Sequence, residues 1–281
     1  MSKDALGDRM KEFYENRSKT YLTRRTPVII RLDGKAFHSF TKPFYKPYDV
    51  ILHQAMNNTM KTLCENIQGV KLGYTQSDEI TLLLTDYENL QTDAWFGYNV
   101  QKMCSVAASI ATLAFNQHLF SALNQYELEW KCGLTPQSVE IQEAHKRYVE
   151  GIRRALSKGA LFDARCFSVP KEEVANCFIW RQQDATRNAI QMLGQCNFSH
   201  KELDGKSQND IQDMLMTQKS INFNDMSTEY KRGVCCYRKE YIDTTVDLKT
   251  NETTKVTRRS WEIDTEIPIF TQDRYYIERY V

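Results

Sequence analysis

Apolar residues gather along this chain in short β-rich runs and longer helical stretches. After Pro27, Val28-Ile29-Ile30 leads through Arg31-Leu32-Asp33 to Gly34, a run that reads as a buried strand. Val70 to Thr75 and Ile80 to Thr85 are two more such runs, and the polar Gln76-Ser77-Asp78-Glu79 between them makes them a hairpin. Leu161 to Val169 reads as a fourth strand. Between the first two strands, Asp49 is placed to cap a helix running to about Asn66. The proline-free, Ala- and Ser-containing stretch from Ala94 to Tyr126 reads as one long buried helix, and Glu172 to Gln195 as another. The order up to the fourth strand is β-α-β-β-α-β, so the pattern predicts an α+β, ferredoxin-like sheet.

The remaining segments are more polar. Residues 1–25 are charged and helix-like, with Tyr14, Tyr21, Arg17, Lys19, Arg24 and Arg25. Residues 127–160 form an insertion carrying Lys146, Arg147, Arg153, Arg154 and Lys158; on a helix, Arg147, Arg154 and Lys158 share a face. That face is read either as solvated surface or as an RNA-phosphate patch. Beyond residue 196 come a polar stretch, a helix around Gln208–Lys219 and strands at 233–247 and 255–264, with Asp247 to Lys255 as the turn. The expected organisation is a main domain over 1–196 that contains the insertion, with 197–281 as a C-terminal β-containing extension packed on the same unit.

Composition narrows the chemistry. The 281 residues carry 37 Lys and Arg against 36 Asp and Glu, a net charge of +1, so any contact with nucleic acid has to come from a local patch. Eight cysteines form no C-x-x-C pair and show no zinc spacing. The sequence shows no signal peptide and no apolar run of transmembrane length, and the expectation by exclusion is a cytoplasmic protein with reduced thiols and no membrane association. Cys235 and Cys236 are adjacent on a strand and are expected on opposite faces.

Two carboxylates stand out by position. Asp33 closes the first strand and Asp78 sits in the tip of the hairpin, so a βαββαβ sheet can place them side by side. Such a pair suits Mg²⁺, which takes one or two carboxylates plus phosphate oxygens and water; two such ions can serve an in-line phosphoryl displacement. Asp-Gly and Ser-Asp are also common in turns, which is the plainer reading of each residue alone. After Asp33, Gly34-Lys35-Ala36-Phe37-His38 offers small residues and backbone N–H groups suited to a triphosphate.

With these residues assembled, Arg31-Leu32-Asp33-Gly34-Lys35-Ala36-Phe37-His38-Ser39-Phe40 resembles the first motif of the tRNA-histidine guanylyltransferase family, and Tyr74-Thr75-Gln76-Ser77-Asp78-Glu79 resembles its second. Lys46-Pro47-Tyr48-Asp49, Trp95-Phe96 with Lys102, Phe162-Asp163-Ala164-Arg165, Trp180-Arg181-Gln182 and Tyr230-Lys231-Arg232-Gly233 are similar to further family motifs, in the family's order across residues 27–236. The resemblance implies a polymerase-type palm that extends RNA in the 3′-to-5′ direction. In such enzymes ATP adenylylates the RNA 5′-monophosphate, and the 3′-hydroxyl of an incoming nucleoside triphosphate then displaces AMP. It further implies Asp33, Asp78 and the Gly34 carbonyl as Mg²⁺ ligands, with two or more ions, and Gly34, Lys35, Ala36, Phe37 and His38 along a triphosphate. Lys46, Asp49 and Ser77 would serve the activation site, where ATP and GTP are both open choices. Lys102, Arg165, Lys231 and Arg232 would contact phosphate or RNA. Glu79, next to Asp78, is expected to face away and to act structurally. tRNA is the implied partner, and a homotetramer the implied assembly.

One departure is visible. Members that add the extra guanosine to histidine tRNA carry His-Ile-Asn-Asn-Leu-Tyr-Asn after Trp-Arg-Gln-x-Asp, whereas this chain has Thr186-Arg187-Asn188-Ala189-Ile190-Gln191-Met192. Thr186 has no ring nitrogen to offer. The substituted form resembles the branch of guanylyltransferase-like proteins that repair 5′-truncated tRNAs by templated addition. Guanosine addition at position −1 of histidine tRNA is the alternative. A nucleotide cyclase would share the carboxylate pair but needs a Gly-Gly-Asp/Glu-Glu-Phe-type hairpin that is absent. A non-catalytic RNA-binding scaffold would rest on basic-aromatic segments such as Arg274, Tyr275, Tyr276, Arg279 and Tyr280, which can equally be packing.

Overall fold

The computed structural model describes residues 4–133, 138–246 and 253–281. In chain order the elements are α1 (Ala5–Phe13), β1 (Val28–Gly34), the single turn α2 (Phe37–Phe40), α3 (Val50–Asn66), the hairpin β2 (Val70–Gln76) and β3 (Glu79–Leu84), α4 (Val100–Cys132) and α5 (Val139–Lys158). There follow β4 (Phe162–Ser168), α6 (Lys171–Asn197), the short α7 (His200–Leu203), α8 (Gln208–Lys219), α9 (Thr228–Arg232), β5 (Val234–Val246), β6 (Thr253–Asp264) and α10 (Tyr275–Glu278). The protein is a mixed α+β structure around one six-stranded antiparallel sheet, ordered β4-β1-β3-β2-β5-β6.

Both faces of the sheet are covered around β1, which is why that strand is apolar almost throughout, whereas the outer part of the β5–β6 ribbon is exposed. Val28, Ile30 and Leu32 point to one side, where they join Met56, Met60 and Leu63 of α3 and Met103, Ala107, Ala111 and Phe115 of α4. Ile29 points to the other, with Tyr74, Leu83, Phe178 of α6, Phe270 and Ile277. The two cysteines at the start of β5 divide in the same way, Cys236 with the first cluster and Cys235 with the second, and all eight thiols are free. Strand alternation produces this division.

Several expectations are corrected. The long helix begins at Val100, not Ala94: Phe96 and Gly97 have positive φ, and Asn99 caps the helix by accepting the Lys102 N–H at 3.0 Å. It runs on past Tyr126 to Cys132 and is, among the described residues, the one helix long and apolar enough to cross a membrane by length and composition. The expected absence of such a run therefore does not hold, although this helix's buried side packs on α3 and the sheet. Among the described residues of the first 25, only Ala5–Phe13 is α-helical, and Tyr21 bridges to Asn99 as an isolated β-pair. The turn expected over 247–255 falls mainly on residues 247–252, outside the described residues.

The polar stretch after residue 198 turns out to be built. Ser199 with Glu202 and Ser207 with Asp210 form capping boxes that start α7 and α8. Ile211 and Leu215 then pack with Ala189, Ile190 and Leu193 of α6 and Tyr230 of α9, a small third core beside the sheet.

Candidate active site

The ends of β1 and β3 define the site. Asp33 lies opposite Glu79 on β3 and opposite Asp163 on β4, and the Gly34 N–H donates to the Asp78 carbonyl at 3.1 Å, so loop and hairpin tip are tied together. The turn residue Ser77 has φ 54°, and its hydroxyl donates to Asp78 Oδ1 at 3.2 Å. Asp33 and Asp78 are both half-buried. Burial, and after it the charge of Asp33, pushes the Asp78 carboxyl up, while Lys46 works in the opposite direction. Two neighbouring carboxylates at an open sheet end, with Asp78 pushed up in part by the charge of Asp33, fit a divalent cation, and their hard oxygens fit Mg²⁺. Among the described residues no group of three or more His, Cys, Asp or Glu side chains converges, so the donor set is this pair plus backbone and solvent.

The loop after Asp33 is shaped by packing. Phe37 is buried at ring-centroid distances of 5.3 Å from Phe115 and 5.2 Å from Phe162, which roots the loop in the core. A Cβ at Gly34 would lie 2.3 Å from the Phe37 ring. The glycine is thus required by its own chain neighbour, in addition to any ligand. Ala36 holds φ 54° and starts the single turn α2, which leaves Lys35, Ala36 and His38 exposed.

These segments meet at a cavity of about 630 Å³ lined by Phe37, His38, Lys46, Asp49, Ser77 and Asp78, with Asn188, Met192 and Gln195 of α6 along one wall. The structure therefore gathers His38, Lys46, Asp49, Ser77 and Asp78 from three separate stretches. Asp49 is 3 % exposed and already occupied: it accepts from the Leu52 N–H at 3.0 Å, the Tyr45 N–H at 2.9 Å and the Tyr148 hydroxyl at 2.7 Å. Any part it takes in nucleotide binding passes through the wall it shapes. Tyr48 donates to Glu229 at 2.5 Å and stacks on His53 at 4.0 Å, and burial holds that imidazole down at about 4.

Other expected site residues lie elsewhere. Lys35 faces a different cavity, of about 670 Å³. Lys231 and Arg232 line a third, of about 490 Å³, together with Thr186 and Arg187. Arg165 on β4 pairs with Asp163 at 3.4 Å, and Lys102 on α4 sits 5.9 Å over the Phe96 ring. Thr186 donates to the Lys231 carbonyl at 2.9 Å, fastening α6 to α9.

Two residues whose part sequence reasoning did not assign are Arg181 and Tyr148. Arg181, only 10 % exposed, pairs with Glu79 at 2.6 Å and with Asp184 at 2.6 Å, and Arg31 reaches Glu79 at 3.8 Å. Burial pushes the Glu79 carboxyl up against the pull of these two guanidinium groups. Arg181 was visible only as part of a motif. No local signal joins Tyr148 to Asp49, 99 residues apart.

A family model described as tRNAHis guanylyltransferase matches residues 7–170, more than half of the chain. The chain belongs to the tRNAHis guanylyltransferase family. It is accordingly a nucleotidyltransferase. Over 99 % of both chains it is similar to a bacterial tRNA(His) guanylyltransferase-like protein solved in complex with ATP, at 40 % identity and a TM-score of 0.75. A second such bacterial structure, in complex with GTP, matches at 38 % identity and a TM-score of 0.72, again over 99 % of both chains. An uncharacterised protein of Acanthamoeba polyphaga mimivirus is 30 % identical over 252 residues, 86 % of this chain and 79 % of the relative.

Proposed function

We propose that this enzyme adds nucleotides in the 3′-to-5′ direction to the 5′ end of tRNA, under the direction of the opposing strand. The observation that carries the reading is the placing of Asp78 on a cavity shared with His38, Lys46 and Ser77, with Asp33 close enough for its charge to act on Asp78. The sheet order β4-β1-β3-β2, antiparallel throughout, supports a ferredoxin-like palm. The ATP and GTP complexes of the bacterial relatives support either nucleotide in the activation site.

In the first step a 5′-phosphate oxygen of the RNA attacks the α-phosphorus of ATP; pyrophosphate leaves, and RNA and AMP are joined through a phosphoanhydride. In the second the 3′-hydroxyl of a nucleoside triphosphate attacks the RNA 5′-phosphorus, gives up its proton and releases AMP. Asp33 and Asp78 would hold Mg²⁺, with the Gly34 carbonyl, and that ion would supply positive charge for phosphate oxygens in both steps. Lys46 places its ammonium on the Asp78 side of the cavity and within 3.4 Å of the Thr41 hydroxyl, a position suited to a nucleotide phosphate in the activation step. Phe37 and His38 would border the triphosphate.

Thr186 favours templated repair over untemplated guanosine addition, since its side chain is committed to the Lys231 carbonyl. The free thiols are in keeping with a reducing cytoplasm. Exposed Leu113, Phe120 and Leu128 along α4 offer a face for the homotetramer. The test is a 5′-labelled, monophosphorylated tRNA lacking its first nucleotide, incubated with Mg²⁺, ATP and all four nucleoside triphosphates. Extension should stop when the acceptor stem is complete. Bound tRNA with no extension, or efficient addition opposite a mismatch, would overturn the reading.

A further inference from the structure

The triphosphate loop has two sides. Phe37 and His38 face the carboxylate cavity, whereas Lys35 and Ala36 line a separate concavity of about 670 Å³ on the far side of α2. Lys42 from the segment after α2, and Arg154 and Lys158 from the last turns of α5, line the same concavity. Four exposed cations therefore converge from two stretches of sequence more than a hundred residues apart. Among the described residues, no acidic side chain lines the concavity.

Elsewhere on the surface a number of cations are compensated. Lys71, Arg153, Arg165, Arg187, Lys239, Arg258 and Arg259 each pair with a carboxylate. Among the described residues, Lys35, Lys42, Arg154 and Lys158 have no such pair. In a chain whose net charge is only +1, four uncompensated cations around one hollow form a local positive field.

The packing that produces it is specific. Gly151 of α5 lies so close to Pro43 that a Cβ there would come within 2.6 Å of the Pro43 Cβ, which brings Lys42 against the helix that carries Arg154. The Lys35 N–H donates to the Leu161 carbonyl at 2.8 Å and fixes the opposite rim. The floor is apolar, from Phe40, Pro43, Ala155, Ala160 and Leu161. A hydrated triphosphate has no use for an apolar floor; a sugar-phosphate backbone, with sugars between its phosphates, matches cations around an apolar base.

We infer that this concavity is a track for the phosphodiester backbone of the RNA whose 5′ end lies at Asp33 and Asp78. The inference rests on the proposed function for its choice of RNA. Contacts of this kind hold and orient the backbone and read no sequence. Lys35 joins the two sites, one residue beyond Gly34.

The test is filter binding of monophosphorylated tRNA, without nucleotides, across a range of salt. The probes are wild-type protein and the K42Q R154Q K158Q variant, which leaves Lys35 and the carboxylate cavity untouched. The variant should bind more weakly by roughly 10-fold or more near 0.1 M salt, and the slope of log affinity against log salt should shrink by about 2 to 3. Its affinity for ATP and its melting temperature should stay at the wild-type values. The charge-conserving K42R R154K K158R variant should keep wild-type affinity and slope. An unchanged slope, an equal loss of ATP affinity, or a charge-conserving variant as weak as the neutral one would overturn the inference. Because no nucleotide addition is read, an enzyme that binds tRNA through this track yet fails to extend it would defeat only the catalytic proposal.

Discussion

Arg181 on α6 grips the carboxylate of Glu79 at 2.6 Å, and Glu79 is the strand residue that follows Asp78. Helix and hairpin are thereby fastened to each other one residue from the proposed metal ligand. The same guanidinium lies 4.3 Å over the Trp180 ring and reaches Asp184, so its position is set from three directions.

Arg181→Gln should therefore act on both stability and turnover. It leaves the half-buried Glu79 with Arg31 alone, 3.8 Å away, and losing a hydrogen bond to a charged group of this kind costs about 1.5–3 kcal/mol. Urea unfolding measures that loss. With tRNA saturating, kcat should fall while KM for tRNA changes little; a variant with wild-type kcat would show that the grip is dispensable for the hairpin tip.

Asp33→Asn and Asp78→Asn should each abolish adenylylation and addition alike, by on the order of 10³-fold or more, if both steps share the site. The metal-free Asp33→Asn protein should be at least as stable as wild type, because it relieves the charge that pushes Asp78 up. Thermal melts in EDTA, set beside single-turnover assays of the two steps, check both statements. EDTA should also silence the wild-type enzyme, and added Mg²⁺ should restore it.

Gly34→Ala places a methyl group 2.3 Å from the Phe37 ring. The collision should cost about 1–3 kcal/mol and displace the loop that carries His38. A lower melting temperature with reduced ATP affinity is the expected result. Unchanged values would mean that the ring has room to swing aside.

His53 predicts a pH dependence of stability. Its ordinary value of 6.5 is lowered to about 4 by burial under Tyr48. Above pH 6.5 both folded and unfolded chains carry the neutral ring and no difference arises. As pH falls from 6.5 towards 4, the unfolded chain binds a proton that the folded one refuses, so stability is lost across that window, by up to about 3 kcal/mol. Between pH 7 and pH 5, His53→Gln should lose about 2 kcal/mol less than wild type in urea unfolding.

Sequence alone carried the backbone of this picture unevenly. The strands were legible because burial on both faces leaves runs such as Val28-Ile29-Ile30, and Asp33 and Asp78 were legible because they sit where those runs stop. The start of α4 was misplaced by six residues because apolar Trp95, Phe96 and Tyr98 mimic a helix while Asn99 is the residue that begins it. Cations were the least legible. Lys46 lies at the carboxylate cavity, but Lys231 and Arg232 face another hollow and Arg165 is paired with Asp163. The destination of a long flexible side chain is decided by contacts distant in sequence, as the meeting of Lys42 with Arg154 illustrates.

β2 is paired on one side by β3 and on the other by β5, and Gly233 leads into β5 so tightly that a Cβ there would lie 2.5 Å from the Thr75 carbonyl oxygen. As the chain leaves the ribosome, β1 to β4 can pair among themselves, but β2 then remains a bare edge open to the wrong neighbour. Nor is the hairpin that carries Asp78 braced on its outer side until residues beyond 233 have been made. Until then the hairpin is held by β1 and by the grip of Arg181 on Glu79, and the final brace on its β2 side is contributed by the last-made part of the sheet.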